Sequence, residues 1–285
     1  MLRRGLTGFL CLFVLLTLAS CTPPPQPLAP TGALEAHILD VGQGDAAAIR
    51  VPNGDWVLVD GGPRARSGDV VAALKGLGVT RLAVVVATHP HEDHIGGLPA
   101  VLDAFPVGAV YLPRVEHTSV TYERLLEAIK QKAIPARAAK GGVGLELGPD
   151  VRAMFLGPVR DNYSDLNDWS AVLRLALGEH AILLTADATA VSEGHMLPTS
   201  WAPLESTVLR VGHHGSAGSS SAAFLEAVKP RYAIISVGAG NTYGHPAQAA
   251  VDRLSAAGAA IYRTDLTGTI TVTITATGVT IKTAR

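Results

Sequence analysis

The sequence predicts a mixed α/β (α+β) fold of two packed sheets with helices on the outside, and three observations predict it. Apolar runs of strand length outnumber helical segments. They arrive in two groups along the chain, each finished by helices. A composition of 48% hydrophobic residues, 30 glycines and only 5% aromatics suits a Val/Leu/Ala/Ile core crossed by many tight turns. At 285 residues there is room for one large domain or two small ones. Nothing within 33–285 reads as a linker, so one domain is expected there.

Residues 1–20 read as an export signal. Arg3 and Arg4 precede an apolar core, Leu6 to Leu18, too short for an ordinary membrane span. It ends at Leu18-Ala19-Ser20-Cys21, the pattern of a bacterial lipoprotein processing site. On that reading Cys21 carries the lipid and 21–32 is a proline-rich tether. The expected location is extracytoplasmic, with the lipid as the only hold on a bacterial membrane. Cys11 leaves with the signal and Cys21 is acylated, so no thiol remains for disulfides, cysteine catalysis or thiolate metal sites. Net charge is −1 for the full chain and more negative once Arg3 and Arg4 are removed. Such a balance excludes a long basic track for nucleic acid; contact with DNA would be local. No obligate protein partner is indicated.

The domain opens with a strand, Leu34 to Leu39, running into the two-glycine turn Asp40-Val41-Gly42-Gln43-Gly44-Asp45. Ala46 to Val51 and Trp56 to Val59 follow as strands about Pro52-Asn53-Gly54-Asp55, the second ending in Asp60-Gly61-Gly62. Asp69 to Leu77 is a helix stopped by Gly78. Leu82 to Ala87 is unbroken apolar, the pattern of a strand buried on both faces. Directly after it come Thr88-His89-Pro90-His91-Glu92-Asp93-His94-Ile95-Gly96-Gly97, then a helical segment, Leu98 to Phe105. Four potential metal ligands, His89, His91, Asp93 and His94, therefore sit on a loop at the carboxyl end of a buried strand, where open α/β sheets place their sites. His89 and His91 can share one ion, and Asp93 and His94 can face a second. Imidazole and carboxylate suit zinc, manganese or iron.

Beyond this loop, Ala109 to Leu112 is a strand. Ser119 to Lys132 is a helix with Leu125, Leu126 and Ile129 inward. Val143–Leu147 and Val151–Leu156 form a strand pair, and Ala171–Leu177 with His180–Thr185 form a hairpin ending at Ala186-Asp187. Thr207 to Val211 ends at Gly212-His213-His214-Gly215-Ser216. One of His213 and His214 is expected to be the last ligand of the second metal, with His213 favoured; the other faces substrate. Ser216 and Ser219 to Ser221 suit loop and helix-capping roles, with Ser216 able to touch phosphate. A helix (Ser221 to Val228), a strand (Tyr232 to Val237), a helix (Pro246 to Ala257) and three closing strands complete the chain. Between the last strand–helix pair, Asn241, Tyr243 and His245 gather in NTYGHP; His245 is a candidate general acid, aided by the other two. Asp40 and Asp45 can support the site or serve the turn alone.

The H-x-H-x-D-H loop is that of the metallo-β-lactamase fold. LDVGQGD, THPHEDHIGGL, NDWSAVL, TAD, VGHHGS and NTYGHP, in this order over about 34–282, resemble the hydrolase domain of ComEC-type DNA-uptake proteins and its stand-alone relatives. The resemblance implies an αββα sandwich and two divalent cations, Zn²⁺ or Mn²⁺. It makes Asp187 the carboxylate between them and Asp60 a hydrogen-bonding support that does not ligate. Three departures stand out. The channel's membrane helices are absent. Ala186 replaces the usual glycine before the bridging aspartate. Where a third histidine is expected for the first ion, the chain offers Asn167, through its amide oxygen, or Asp168, through its carboxylate; either makes that site harder and more hospitable to manganese. The implied activity is phosphodiester hydrolysis, with DNA as substrate, by Asp93, Asp187 and His245 around a water activated between the cations. The rival readings are a carbonyl hydrolase acting on a lactone, thioester or β-lactam, and a non-catalytic DNA-binding lipoprotein.

Overall fold

The computed structural model describes residues 1–2 and 32–285; the processing site, Cys21 and the tether up to residue 31 lie outside the described residues. In chain order the elements of the first half are β1 (Leu34–Ile38), β2 (Ala47–Arg50), β3 (Trp56–Val59), α1 (Ser67–Gly76), β4 (Leu82–Val86), α2 (Glu92–Ile95), α3 (Leu98–Ala104), β5 (Val107–Leu112), α4 (Val120–Gln131) and β6 (Ala136–Ala138). The second half holds β7 (Gly144–Leu145), β8 (Val151–Phe155), β9 (Leu173–Leu177), β10 (His180–Leu184), α5 (Ala190–Met196), β11 (Val208–Arg210), α6 (Ala222–Val228), β12 (Tyr232–Ile235), α7 (Gln248–Ala256), β13 (Ala260–Arg263), α8 (Thr264–Thr267), β14 (Ile270–Thr275) and β15 (Gly278–Thr283).

An eight-stranded sheet runs β15-β14-β1-β2-β3-β4-β5-β6 and a seven-stranded sheet β13-β12-β11-β10-β9-β8-β7. The closing hairpin returns to the start of the chain, β14 pairing antiparallel with β1. Pairing is parallel where helices intervene, from β3 to β6 and from β10 to β13, as crossover connections require. The strand period of two sorts side chains into layers. Val84 and Val86 of β4, Ile182 and Leu184 of β10 and Val208 of β11 fill the layer between the sheets. Val85 faces the helices over the first sheet, and Leu183 and Leu209 those over the second. This is an αββα sandwich, and β4 is buried on both faces as its sequence predicts.

The differences from expectation are local. On α4, Tyr122, Leu125 and Ile129 are buried but Leu126 is exposed, because it lies off the stripe of residues 122, 125 and 129. The helix expected from Pro246 begins at Gln248. Four elements, α2, β6, α5 and α8, are additions to the pattern read from the sequence.

Candidate metal centre

The loops after β4, β10, β11 and β12 meet at the carboxyl ends of the parallel strands. The β4 loop turns sharply: His91 is extended and Glu92–Ile95 form one helical turn, so alternate ligands point to one side. Gly44 carries a φ of 135° and a Cβ there would strike the Asp93 carbonyl. Only glycine lets the β1–β2 turn lie so close to the loop.

Donor atoms of His89, His94 and Asp187 lie within 4.8 Å of one another, and so do those of Asp93, His94 and His214. Asp187 faces both groups. Its Oδ1 is 3.2 Å from His94 Nε2 and 3.6 Å from His214 Nε2, while its Oδ2 is 3.7 Å from both His89 Nε2 and His213 Nε2. His91 Nδ1 lies 2.9 Å from His89 Nε2. Of the two adjacent histidines, His214 is the buried one. Its Nδ1 meets the Ser236 carbonyl at 2.9 Å and its Nε2 meets Asp93 Oδ2 at 3.1 Å. His213 is 28% exposed and turns towards His245, ring centroids 5.5 Å apart. The structure thus brings His214 into the buried donor cluster and leaves His213 at its open side beside His245, whereas the sequence preference is for His213 as the ligand. Both have left-handed backbones, φ 49° and 53°, which overrides any strand alternation.

Asp60 behaves as a support. It accepts from Thr88 N (2.9 Å) and Thr88 Oγ1 (2.7 Å) and meets His94 Nδ1 at 2.8 Å, orienting that ring so that Nε2 faces the centre. Asp45 Oδ2 lies 3.6 Å from the same Nδ1. Asp40 stands apart. It accepts from Gly42 N and from Arg285 Nη2 and serves the turn. Asp168 Oδ1 is taken by Thr189 N, Thr189 Oγ1 and Ser192 N, which start α5. Asn167 Oδ1 is buried and has no partner among the described residues, so of the two candidates it is Asn167 that has an oxygen to give. Asn241 organises its loop, donating to the Gly238 and His245 carbonyls and accepting from Tyr243 N and His245 N. Tyr243 is 70% exposed and stacks on His245 at 5.9 Å. Ser216 Oγ accepts from Gly218 N within its own turn.

These residues fit divalent cations. His94 Nε2 and Asp187 Oδ1 are both buried, and at 3.2 Å they lack the alignment of a hydrogen bond. Converging imidazole nitrogens and carboxylate oxygens left unsatisfied in a buried cluster are what a cation would pair. Burial alone would neutralise His94, but Asp187, Asp93 and Asp60 outweigh it and hold it well above its ordinary value. His214 is raised by Asp187 and its bond to Asp93 against the same burial. His89 is lowered well below the usual range by burial and by the neighbouring His94. Asp93 and Asp187 are depressed against burial, chiefly by His94. His245 is lowered by burial and by His213 and His214, which favours its neutral form.

One contributor escaped the sequence reading: Arg210, buried beneath the centre and ion-paired with Asp45. Its signal is a lone charge in the apolar run Val208-Leu209-Arg210-Val211.

The model of the metallo-beta-lactamase superfamily matches residues 39–239. The chain belongs to that superfamily. Within it, the chain is similar to competence protein ComA of Neisseria gonorrhoeae, 34% identical over 85% of this chain and 32% of that protein. It is also similar to ComE operon protein 3 of Bacillus subtilis, 28% identical over 83% of this chain and 32% of that one. The chain therefore spans about a third of the length of these relatives. Among solved structures, CmlA, a diiron beta-hydroxylase from Streptomyces venezuelae, superposes with a TM-score of 0.54 at 16% identity, covering 88% of this chain and 55% of that one. That likeness shows the shared fold. Among the described residues, no helix is long and apolar enough to cross a membrane.

Proposed function

We propose that the chain is a metal-dependent phosphodiesterase that degrades DNA at the outer face of a bacterial membrane, held there by the lipid on Cys21. The observation that carries this is the buried donor set in which one carboxylate, Asp187, turns one oxygen to His94 and His214 and the other to His89 and His213. His89, His91 and the free oxygen of Asn167 would hold one ion, Asp93, His94 and His214 the other, and Asp187 both. When bound, two such ions neutralise charge building at phosphorus and lower the pKa of water towards neutrality.

The chain's own groups do the rest. Asp60 and the Ser236 carbonyl fix the rings of His94 and His214. His213 and His245 line the open side, where an N–H donor meets the oxygen that leaves phosphorus. The exposed ring of Tyr243 beside them offers a stacking face to a base. Similarity to competence proteins supports a nucleic-acid substrate, and the absence of a basic track is met by charge neutralisation inside the site.

The full chain, stripped of metal and reloaded separately with Zn²⁺ or Mn²⁺, is predicted to cut single- or double-stranded DNA, and a His91→Ala/Asp93→Ala variant is predicted not to. Turnover of bis(p-nitrophenyl) phosphate without DNA cleavage would move the substrate to smaller diesters. Silence on both, with hydrolysis of a lactone or thioester, would replace this reading by a carbonyl hydrolase.

A further inference from the structure

The metal ligands come from two different sheets, and their separation must be set by something. His89 to His94 follow β4 of the eight-stranded sheet; Asp187 and His214 follow β10 and β11 of the other. Arg210 shares a strand face with Val208, whose side chain lies in the layer between the sheets. From there its guanidinium reaches four groups. Nη2 pairs with Asp45 across the layer. Nη1 donates to the Ala186 carbonyl at 2.6 Å and to the Val211 carbonyl at 2.9 Å. Nη2 also lies 3.5 Å from His214 Nδ1.

Each anchor sits next to a ligand. Ala186 precedes Asp187, and its carbonyl also accepts from His213 N at 2.8 Å, joining the β10 and β11 loops. Val211 opens the turn that carries His214. On the other side, Asp45 N donates to the Asp93 carbonyl at 3.0 Å and the Asp45 carbonyl accepts from Gly62 N at 2.7 Å. The space around the pair is a cavity of about 10 Å³, lined by Asp45, Asp60, Thr88, Ala186, Arg210 and Ser236 among others, about one water in size. Both partners are buried, so salt screens the pair little and its charge-assisted bonds are strong.

We infer that Arg210 is a positioning residue, and that its ion pair with Asp45 is a latch setting the distance between the Asp93/His94 half and the Asp187/His214 half of the metal centre. The inference rests on the metal-centre reading. Lysine can keep the pairing with Asp45 but cannot also hold two carbonyls with a planar fork, so Arg210→Lys separates charge from geometry. An apolar pair, Arg210→Met/Asp45→Leu, restores packing and stability without the bonds.

The test measures Zn²⁺ affinity of the full chain by chelator competition, the visible spectrum of the Co²⁺-loaded chain, and the melting temperature of the metal-free chain. Arg210→Lys is expected to stay folded yet bind Zn²⁺ about 10–100-fold more weakly, the range typical of lost supporting bonds, with an altered Co²⁺ spectrum. The apolar pair is expected to recover the melting temperature and not the affinity. Wild-type affinity and spectrum in folded Arg210→Lys, or in the apolar pair, would overturn the latch and leave the metal centre standing. A wild-type chain that takes up neither Zn²⁺ nor Co²⁺ would remove the centre and the latch with it.

Discussion

His89 and His94, with ring centroids 4.2 Å apart, have their pKa values pushed in opposite directions. His94 faces three carboxylates and is raised well above its ordinary 6.5; His89, behind it, is lowered well below the same value. For the metal-free chain the signs therefore differ. The charge on His94 contributes stability that is complete below pH 6.5 and lost as pH rises through the raised folded value. His89, buried neutral, opposes folding as pH falls below 6.5. Metal binding needs neutral imidazoles, so the raised values of His94 and His214 favour proton release on binding, and the lowered value of His89 does not. Calorimetric titration with Zn²⁺ near neutrality, in buffers of different ionisation enthalpy, should show release of roughly one to two protons per chain, and an affinity that falls as pH is lowered. Proton-independent binding would contradict the assignment of these two ligands. Ala186 records a second residue-scale constraint. Its φ of 46° is left-handed, where a Cβ costs about 1–2 kcal/mol, which gives a physical reason for glycine to be usual before this aspartate.

At the scale of elements, the neighbours Asn167 and Asp168 part company. Asp168 starts α5 through three bonds; Asn167 keeps a buried oxygen free. Asp168→Ala is predicted to cost about 1–3 kcal/mol, as a lost cap leaving buried donors unpaired, with metal content unchanged. Asn167→Ala should lower the content or affinity of one ion and barely move the metal-free melting temperature. The opposite pattern would make Asp168 the ligand. The same contrast marks what the sequence could reveal. β4 and its loop were legible because a doubly buried strand is continuously apolar and the ligands crowd into six positions. α5 was not, because distant groups hold it: Asp168 at its start, and Ser220 N and Ser221 N, which donate to its Glu193. The choice between His213 and His214 was illegible for a different reason. Two consecutive left-handed residues follow neither the strand nor the helix period, so neighbouring positions gave no direction to either ring. Arg210 left a readable trace, a charge inside an apolar strand, that points to a buried pair without naming its partner.

At the scale of the molecule, the sandwich brings its two sheets together at the ends of their parallel strands, and the centre belongs to neither sheet alone. Each half presents an incomplete set: imidazoles and a carboxylate from the β4 loop, and Asp187 with His214 from the loops after β10 and β11. Among the described residues the layer between them is packed mainly with apolar side chains, and the Arg210–Asp45 pair lies at the end that carries the ligands. The resemblance read from motif order carried the fold and the donor types. Which atoms meet depends on how two sheets 121 residues apart at Asp93 and His214 pack, and only the folded chain shows that. The most direct measurement is the metal content of the full chain after saturation with Zn²⁺ or Mn²⁺ and removal of excess, wild type against Asp187→Ala. The wild type is expected to hold about two ions per chain and the variant to lose at least one. A wild type that retains less than one ion of either kind, or a variant that retains as many as the wild type, would contradict the two-ion centre.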